Sequence, residues 1–248
     1  MNTSLEIILP VLNEEGIVAV SVSVIHNFLK DHFLDYNWTI TIADNGSTDK
    51  TPAISEALSN KYDRVSHVQM AERGRGRALK QCWTNSNSDI MAYMDIDLST
   101  QLDDLRPLLD SISQNNYDIA IGSRLINGSI VEGRSLKREL ISRTYNKIIQ
   151  LTFSASFNDA QCGFKAISRS AADQLIPLIK DNGWFFDTEL LIIADKSNYR
   201  IKEIPVRWSD DPDTRVKVIS TALYDLYGLA RLKFGGLKSA QTFLKLLR

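Results

Sequence analysis

The chain is expected to fold as an α/β protein, with a mostly parallel sheet carrying helices on both faces. Three observations predict this. Apolar runs of strand length alternate with stretches of helix length, the loops between them are short, and Ile90-Met91-Ala92-Tyr93-Met94 is apolar at every position. A strand buried on both faces of a parallel sheet must read that way. With 248 residues, 44% of them apolar, the chain has ample material for a core.

Leu5 to Val11 reads as the first buried strand, and Asn13-Glu14-Glu15-Gly16 is expected to open a helix of about four turns, with acids near its positive end. Trp38 to Ala43 is the second strand, stopped by Asp44-Asn45-Gly46-Ser47-Thr48-Asp49, where Ser47 or Thr48 is placed to cap the next helix. A third strand, 65 to 70, meets Arg73-Gly74-Arg75-Gly76-Arg77, and a helix over 77 to 86 leads to the strand before Asp95. A helix over 102 to 114 and a fifth strand, 117 to 122, complete the alternation, which stops after Arg124. A helix over about 134 to 153 follows, with Leu136, Leu140, Ile141, Ile148 and Ile149 on one side and five basic residues on much of the rest. Such a helix either faces a core or lies in a membrane interface.

The formal charge of −1 argues against bulk nucleic-acid binding. Residues 214 to 248 nonetheless hold seven Lys or Arg and one acid, Asp225, beside Leu223, Tyr224, Leu226, Tyr227, Leu229, Leu232 and Phe234. We therefore divide the chain into a domain over 1–213 and a basic amphipathic segment over 214–248 that suits an anionic membrane surface. No apolar stretch approaches the ~20 residues of a spanning helix and no leader pattern opens the chain, so peripheral attachment on a cytoplasmic membrane face is expected. Cys82 and Cys162 lie far apart and read as free thiols of a reducing compartment.

Loops that follow successive parallel strands converge at one sheet edge, where open α/β sheets bind ligands. Pro10 to Glu14, Asp44 to Asp49, Arg73 to Arg77, Asp95 to Ser99 and Gly122 to Arg124 are expected to share that cleft. Asp95 and Asp97, spaced i, i+2 at a strand end, suit Mg²⁺ or Mn²⁺, which take oxygen ligands and leave positions for a substrate diphosphate. Two solvated acids at a strand end are the alternative. Gly74-Arg75-Gly76-Arg77-Ala78-Leu79 lacks the third glycine of a dinucleotide turn and follows the third strand, which excludes a nicotinamide dehydrogenase.

Four blocks in order, Ile8 to Glu15, Ala43 to Asp49, Met94 to Ser99 and Gly122-Ser123-Arg124, resemble the GT-A glycosyltransferases of family 2. Asp159 to Lys165 and Trp184 to Leu191 are similar to the polyprenyl-phosphate hexosyltransferases, in particular the dolichyl-phosphate β-glucosyltransferases, with the mannosyltransferases as cousins. The resemblance implies a GT-A fold in which Pro10, Leu12, Glu14 and Asp44 line the nucleoside site, Asp95 and Asp97 hold the metal diphosphate, and Arg124 stands near the phosphates. Mannosyl relatives can have a glutamine as a further metal ligand where this chain has Ser99. It also implies inverting transfer of a hexose, first choice glucose from UDP-glucose, onto a polyprenyl or dolichyl phosphate. GDP-mannose as donor, a saccharide hydroxyl as acceptor, or a non-catalytic binding module are the alternatives. A phosphate monoester with its second pKa near ~6 needs no base to attack, only cations to offset repulsion, for which Arg124, Lys165, Arg207 and Arg215 are the candidates. Asp187 and Glu189 are read either as orienting sugar hydroxyls or basic groups, or as helix-end acids.

Overall fold

The computed structural model of the protein describes residues 2–210 and 218–247, so Arg215 lies outside the described residues. Nine strands and nine α-helices are seen among them. The first half alternates as expected: β1 (Thr3–Val11), α1 (Val18–His32), β2 (Tyr36–Asp44), α2 (Thr51–Lys61), β3 (Val65–Gln69), α3 (Arg75–Asn85), β4 (Ile90–Met94), α4 (Leu105–Ser113) and β5 (Ile119–Ser123). All five residues of β4 are buried, as its unbroken apolar run demands.

Two helix starts differ from expectation. Asn13 takes a positive φ of 54°, and its side-chain Oδ1 accepts from the Thr48 amide, so the chain turns away before α1 begins at Val18. The acids Glu14 and Glu15 therefore stand ahead of the helix and not within its first turn. At α2 neither Ser47 nor Thr48 caps. Ser47 Oγ instead accepts from the Asn13 amide at 2.9 Å, and the helix begins beyond Lys50 without a side-chain cap.

The second half contains what periodicity did not announce. After β6 (Ile130–Glu132) and α5 (Leu136–Phe153), β7 (Phe164–Ser168) enters the middle of the sheet, antiparallel to both β4 and β5. There follow α6 (Arg169–Leu175), α7 (Phe186–Lys196), β8 (Ile201–Pro205) and β9 (Arg207–Ser209). The main sheet has the order β3-β2-β1-β4-β7-β5-β8, and every other pairing in it is parallel; β6 and β9 form a separate two-stranded ribbon. One apolar cluster packs α1 and α4 on one face, and a second packs α3, α5, α6 and α7 on the other.

The side of α5 that meets the core is Ser142, Tyr145, Asn146, Ile149 and Phe153, at i, i+3, i+4, i+7 and i+11. Leu136 and Leu140 face solvent instead, at 89% and 68% exposure, so the expected single apolar side is split between core and exterior. Helix α8 (Val218–Arg231) meets α9 (Leu237–Leu247) at a kink where Gly235 takes φ 138°. Leu229, Leu232, Ala240 and Leu244 join the same core cluster as α3 and α7, while Leu223, Leu226, Tyr227, Phe234 and Leu246 are exposed. Among the described residues no helix is long and apolar enough to cross a membrane.

Polar contacts also seat α8. Arg231 pairs with buried Glu189 through two bonds of 2.8 and 2.9 Å, and Tyr224 donates to Asp181 at 2.8 Å. Asp225 is buried, accepts from Gln161 at 3.0 Å, and is pushed up to about 7 by burial with Asp181 adding to it. An unfolded aspartate titrates near ~4, so between about pH 4 and 7 the folded state keeps a proton that the unfolded chain releases. Stability contributed by this group should therefore fall as pH rises through that window. Urea unfolding at pH 5 and pH 8 is expected to show Asp225→Asn gaining stability relative to wild type at the higher pH; an equal difference at both would contradict it.

Candidate active site

The site is built at the carboxyl edge of β1, β2 and β4. Parallel register pairs Val11 with Asp44 and Ile8 with Tyr93, which brings Asp44 and Asp95 to nearly the same height on either side of β1. Two strand spacings separate them, roughly 10 Å. Asp44 is fully buried. Its Oδ1 accepts from the Ser47 amide at 2.9 Å, while Oδ2 is buried and meets no hydrogen-bond donor among the described residues. A buried acceptor of this kind is a costly feature unless a ligand donor completes it. Pro10 ends in β1 beside it, and the Pro10–Glu14 and Asp44–Asp49 loops are knitted together by Glu14 N to Thr51 Oγ1 at 2.8 Å and Lys50 N to Glu15 Oε2 at 2.9 Å. Pro10, Leu12, Glu14 and Asp44 thus stand on one joined pair of loops.

Asp95 and Asp97 occupy a tight turn in which the Leu98 amide returns to the Asp95 carbonyl and Leu98 takes φ 56°. A bulky residue in the left-handed region marks local strain that the surroundings must sustain. Asp97 is exposed, with Oδ1 accepting from the Ser99 amide at 2.9 Å. The Asp95 side chain is 41% exposed. Desolvation by the crowded floor pushes its carboxyl up, against the pull of Arg75 and with added repulsion from Asp97 and Asp187. An all-oxygen donor pair, partly open to solvent, fits a hard divalent cation.

A second tier lies beneath. Asp187, from α7, is buried; its Oδ1 accepts from the Tyr93 hydroxyl and lies 3.3 Å from Lys165 Nζ. Lys165 Nζ also donates to Tyr93 Oη at 3.1 Å and to the Cys162 carbonyl. Lys165, proposed above for the acceptor phosphate, is thus a fully buried counter-ion beneath the acids. In the sequence Arg75 is simply part of the Arg73–Arg77 loop, yet the structure puts it at the centre. Its Nη2 lies 2.6 Å from Asp95 Oδ1, its Nη1 3.7 Å from Asp187 Oδ2, and its guanidinium sits between the Tyr93 and Trp184 rings at 5.2 and 5.0 Å. The Gly-Arg-Gly-Arg pattern was the available signal. Gly76 must lack a side chain because a Cβ there would come 2.6 Å from Phe186 Cβ.

Arg124 meets Asp159 through Nε at 2.8 Å and Nη2 at 2.9 Å, and its guanidinium lies over Trp208 at 5.4 Å. Burial works to raise the Asp159 carboxyl, but the Arg124 guanidinium overrides it and holds it at about 2. Arg207 is exposed at the ribbon and pairs with Asp104 at 3.0 Å and Asp103 at 3.4 Å. Arg134 also lies over Trp208, at 5.8 Å. The cations expected near phosphate therefore separate, with Arg124 and Arg207 on the ribbon side and Lys165 below. Asp187 and Glu189 bind basic groups in the interior and do not cap a helix at the surface.

Asp44, with its unmet buried oxygen, and the Asp95–Asp97 pair share the carboxyl edge of a mostly parallel sheet, where α/β proteins of this kind bind their ligands. The fold is that of glucosyl-3-phosphoglycerate synthase from Mycobacterium tuberculosis. Its structure with UDP matches at TM-score 0.62 and 20% identity over 97% of this chain and 80% of that one, and its structure with Mn²⁺, UDP and phosphoglyceric acid at 0.61 and 19% over 96% and 78%. Residues 6–176 match the model of glycosyl transferase family 2, and the chain belongs to that family. Glycosyltransferase AglD of Haloferax volcanii is 35% identical over 88% of this chain, which spans 35% of AglD. Dolichyl-phosphate beta-glucosyltransferase is 29% identical in Saccharomyces cerevisiae, over 83% of this chain and 67% of the yeast protein. In Dictyostelium discoideum it is 26% identical, over 94% and 75%.

Gly163 governs the placement of Asp95. The Asp95 amide donates to the Gly163 carbonyl at 3.1 Å, and a Cβ on Gly163 would lie 1.8 Å from Asp95 Oδ2. Gly163→Ala should force the carboxylate out of position and weaken Mn²⁺–UDP binding by about 10- to 100-fold. Calorimetry beside a circular dichroism melt checks this; unchanged affinity in a folded variant would show that Asp95 is dispensable.

Proposed function

We propose that the protein is an inverting hexosyltransferase that moves a hexose, glucose from UDP-glucose first, onto a polyprenyl or dolichyl phosphate at a membrane surface. The observation that carries this is the acid pair at the end of β4 in a chain whose relatives named dolichyl-phosphate beta-glucosyltransferase match most of its length. In this reading the buried Asp44 Oδ2 accepts from the nucleobase or ribose, with Pro10, Leu12 and Glu14 as the surrounding wall. Asp95 and Asp97 would hold Mg²⁺ or Mn²⁺, which when bound supplies Lewis-acid stabilisation of the departing diphosphate.

On the acceptor side, the described cations stand beside carboxylates that they pair with. Asp104 and Asp159 are each bound to an arginine, Arg207 and Arg124 in turn. A lipid phosphate brings its own nucleophilic oxygen. Arg124 and Arg207 would offset its charge and hold it in line, with Arg215, outside the described residues, a further candidate. Exposed apolar residues beside basic ones on α5, α8 and α9 suit a peripheral seat on an anionic lipid surface.

Purified protein, labelled UDP-glucose and polyprenyl phosphate in detergent should yield a lipid-linked, β-configured glucose phosphate. Asp97→Asn is expected to lower turnover by about 10²-fold or more. GDP-mannose run in parallel identifies the sugar. No lipid-linked product from any donor, or transfer to soluble saccharides, would reject the proposal.

A further inference from the structure

We infer that Arg75 is a built-in rival of the divalent cation for Asp95, so that the site takes up the ion together with a diphosphate and discriminates against the bare ion. This rests on the reading of Asp95 and Asp97 as the metal-holding pair.

The contact of 2.6 Å between Arg75 Nη2 and Asp95 Oδ1 is a charge-assisted bond, and it occupies an oxygen that a cation would need. The Arg75 side chain is only 10% exposed and its guanidinium lies over the Tyr93 and Trp184 rings at 5.2 and 5.0 Å, which holds it at the floor of the site. Its backbone is fixed as well: the amides of Gly76 and Arg77 donate to the carbonyls of Gly183 and Asn182, at 3.2 and 3.1 Å.

Formal charge points the same way. Asp95, Asp97 and Asp187 stand against Arg75 and Lys165, leaving a single net negative charge for an ion of charge two. A bare ion must therefore expel or face a guanidinium. A diphosphate carries compensating charge with it and offers the freed guanidinium a new acceptor of matching fork geometry. The second carboxylate, Asp187, lies 3.7 Å from Nη1, so Arg75 keeps a carboxylate partner when it gives up Asp95. Lys165 cannot compete in this way, because Tyr93 and the Cys162 carbonyl hold it in the lower tier.

The experiment measures free Mn²⁺ by electron paramagnetic resonance over the full-length protein, with and without UDP. Wild type is expected to bind Mn²⁺ at least about tenfold more weakly alone than with saturating UDP. Arg75→Gln should tighten binding of the bare ion by about tenfold and shrink the gain from UDP, whereas Arg75→Lys, which keeps the charge but loses the planar fork, should tighten it by less. An Arg75→Gln protein that binds bare Mn²⁺ no tighter than wild type overturns the inference. Should Arg75→Gln fail to fold, the fluorescence of Trp184 reports on the wild type. Mn²⁺ with UDP should alter emission in wild type and not in Trp184→Phe, while bare Mn²⁺ at the same concentration leaves both unchanged; an equal response to bare Mn²⁺ overturns the inference. If Mn²⁺ and UDP together do not bind wild type, the metal-site reading falls and takes this inference with it. If they bind and the Arg75→Gln result is negative, this inference alone falls.

Discussion

The carboxylate of Asp187 is buried beneath the cleft, and the rest of the site is arranged around the need to compensate it. An isolated charge at that depth costs several kcal/mol, so partners must arrive with good geometry. They come from three separate places in the chain: Lys165 on β7, Tyr93 on β4 and Arg75 at the start of α3. The insertion of β7 between β4 and β5 is what delivers Lys165 under the acid pair, in register opposite Tyr93. An uninterrupted parallel sheet would have put β5 there instead. The same strand begins just after Gly163, whose missing side chain is the space in which the Asp95 carboxylate sits. Fold topology and site electrostatics are thus one constraint.

Much of the sheet edge formed by β1, β2 and β4 is legible in the sequence. Strands β1 and β4 announced themselves by apolar runs and β2 by alternation, and the loop acids lay where successive parallel strands must end. What escaped reading did so for physical reasons. Strand β7 is five residues long and carries a lysine at its second position, so it has neither the continuous apolar run of a buried strand nor an alternation to mark a half-buried one. Lys165 is tolerated there only because Asp187 lies across from it, a contact separated by more than twenty residues and invisible to any local pattern. Arg75 was hidden by its neighbours: the glycines that let it approach Asp95 resembled an incomplete dinucleotide turn. The start of α1 moved because Asn13 spends its side chain on Thr48, a tertiary bond that overrides a local preference for acids at a helix start.

The C-terminal helices show the same dependence on buried charge. An amphipathic helix that only rested on the surface would need an apolar stripe and nothing more. Helix α8 has apolar core contact through Leu229, with Leu232 just beyond its end, yet it is also bonded through Tyr224 to Asp181 and through Arg231 to Glu189. Asp181 in turn accepts from the Gly183 amide at 2.7 Å, and Asp181, Asn182 and Gly183 belong to the segment on which the Arg75 loop is hung. Polar bonds are directional where apolar contact is not, so they hold α8 at one rotation and keep its outward residues Leu223, Leu226 and Tyr227 facing away from the protein.

Under the proposed chemistry, the acceptor half must attract an anion without becoming so electropositive that it traps one. Pairing solves this. Arg124 is neutralised by Asp159 through Nε and Nη2, which leaves Nη1 for another acceptor. Arg207 is matched by Asp104 and Asp103 in the same fashion. Arg124 is already desolvated and both guanidinium groups are oriented by their carboxylates, so an incoming phosphate gains directed donors with less reorganisation than a free side chain would require. The carboxylate partners hold back the net charge, and that keeps the product's departure from being limited by a strong ionic grip. The pairs that look structural in isolation are then the means by which two anions are brought face to face.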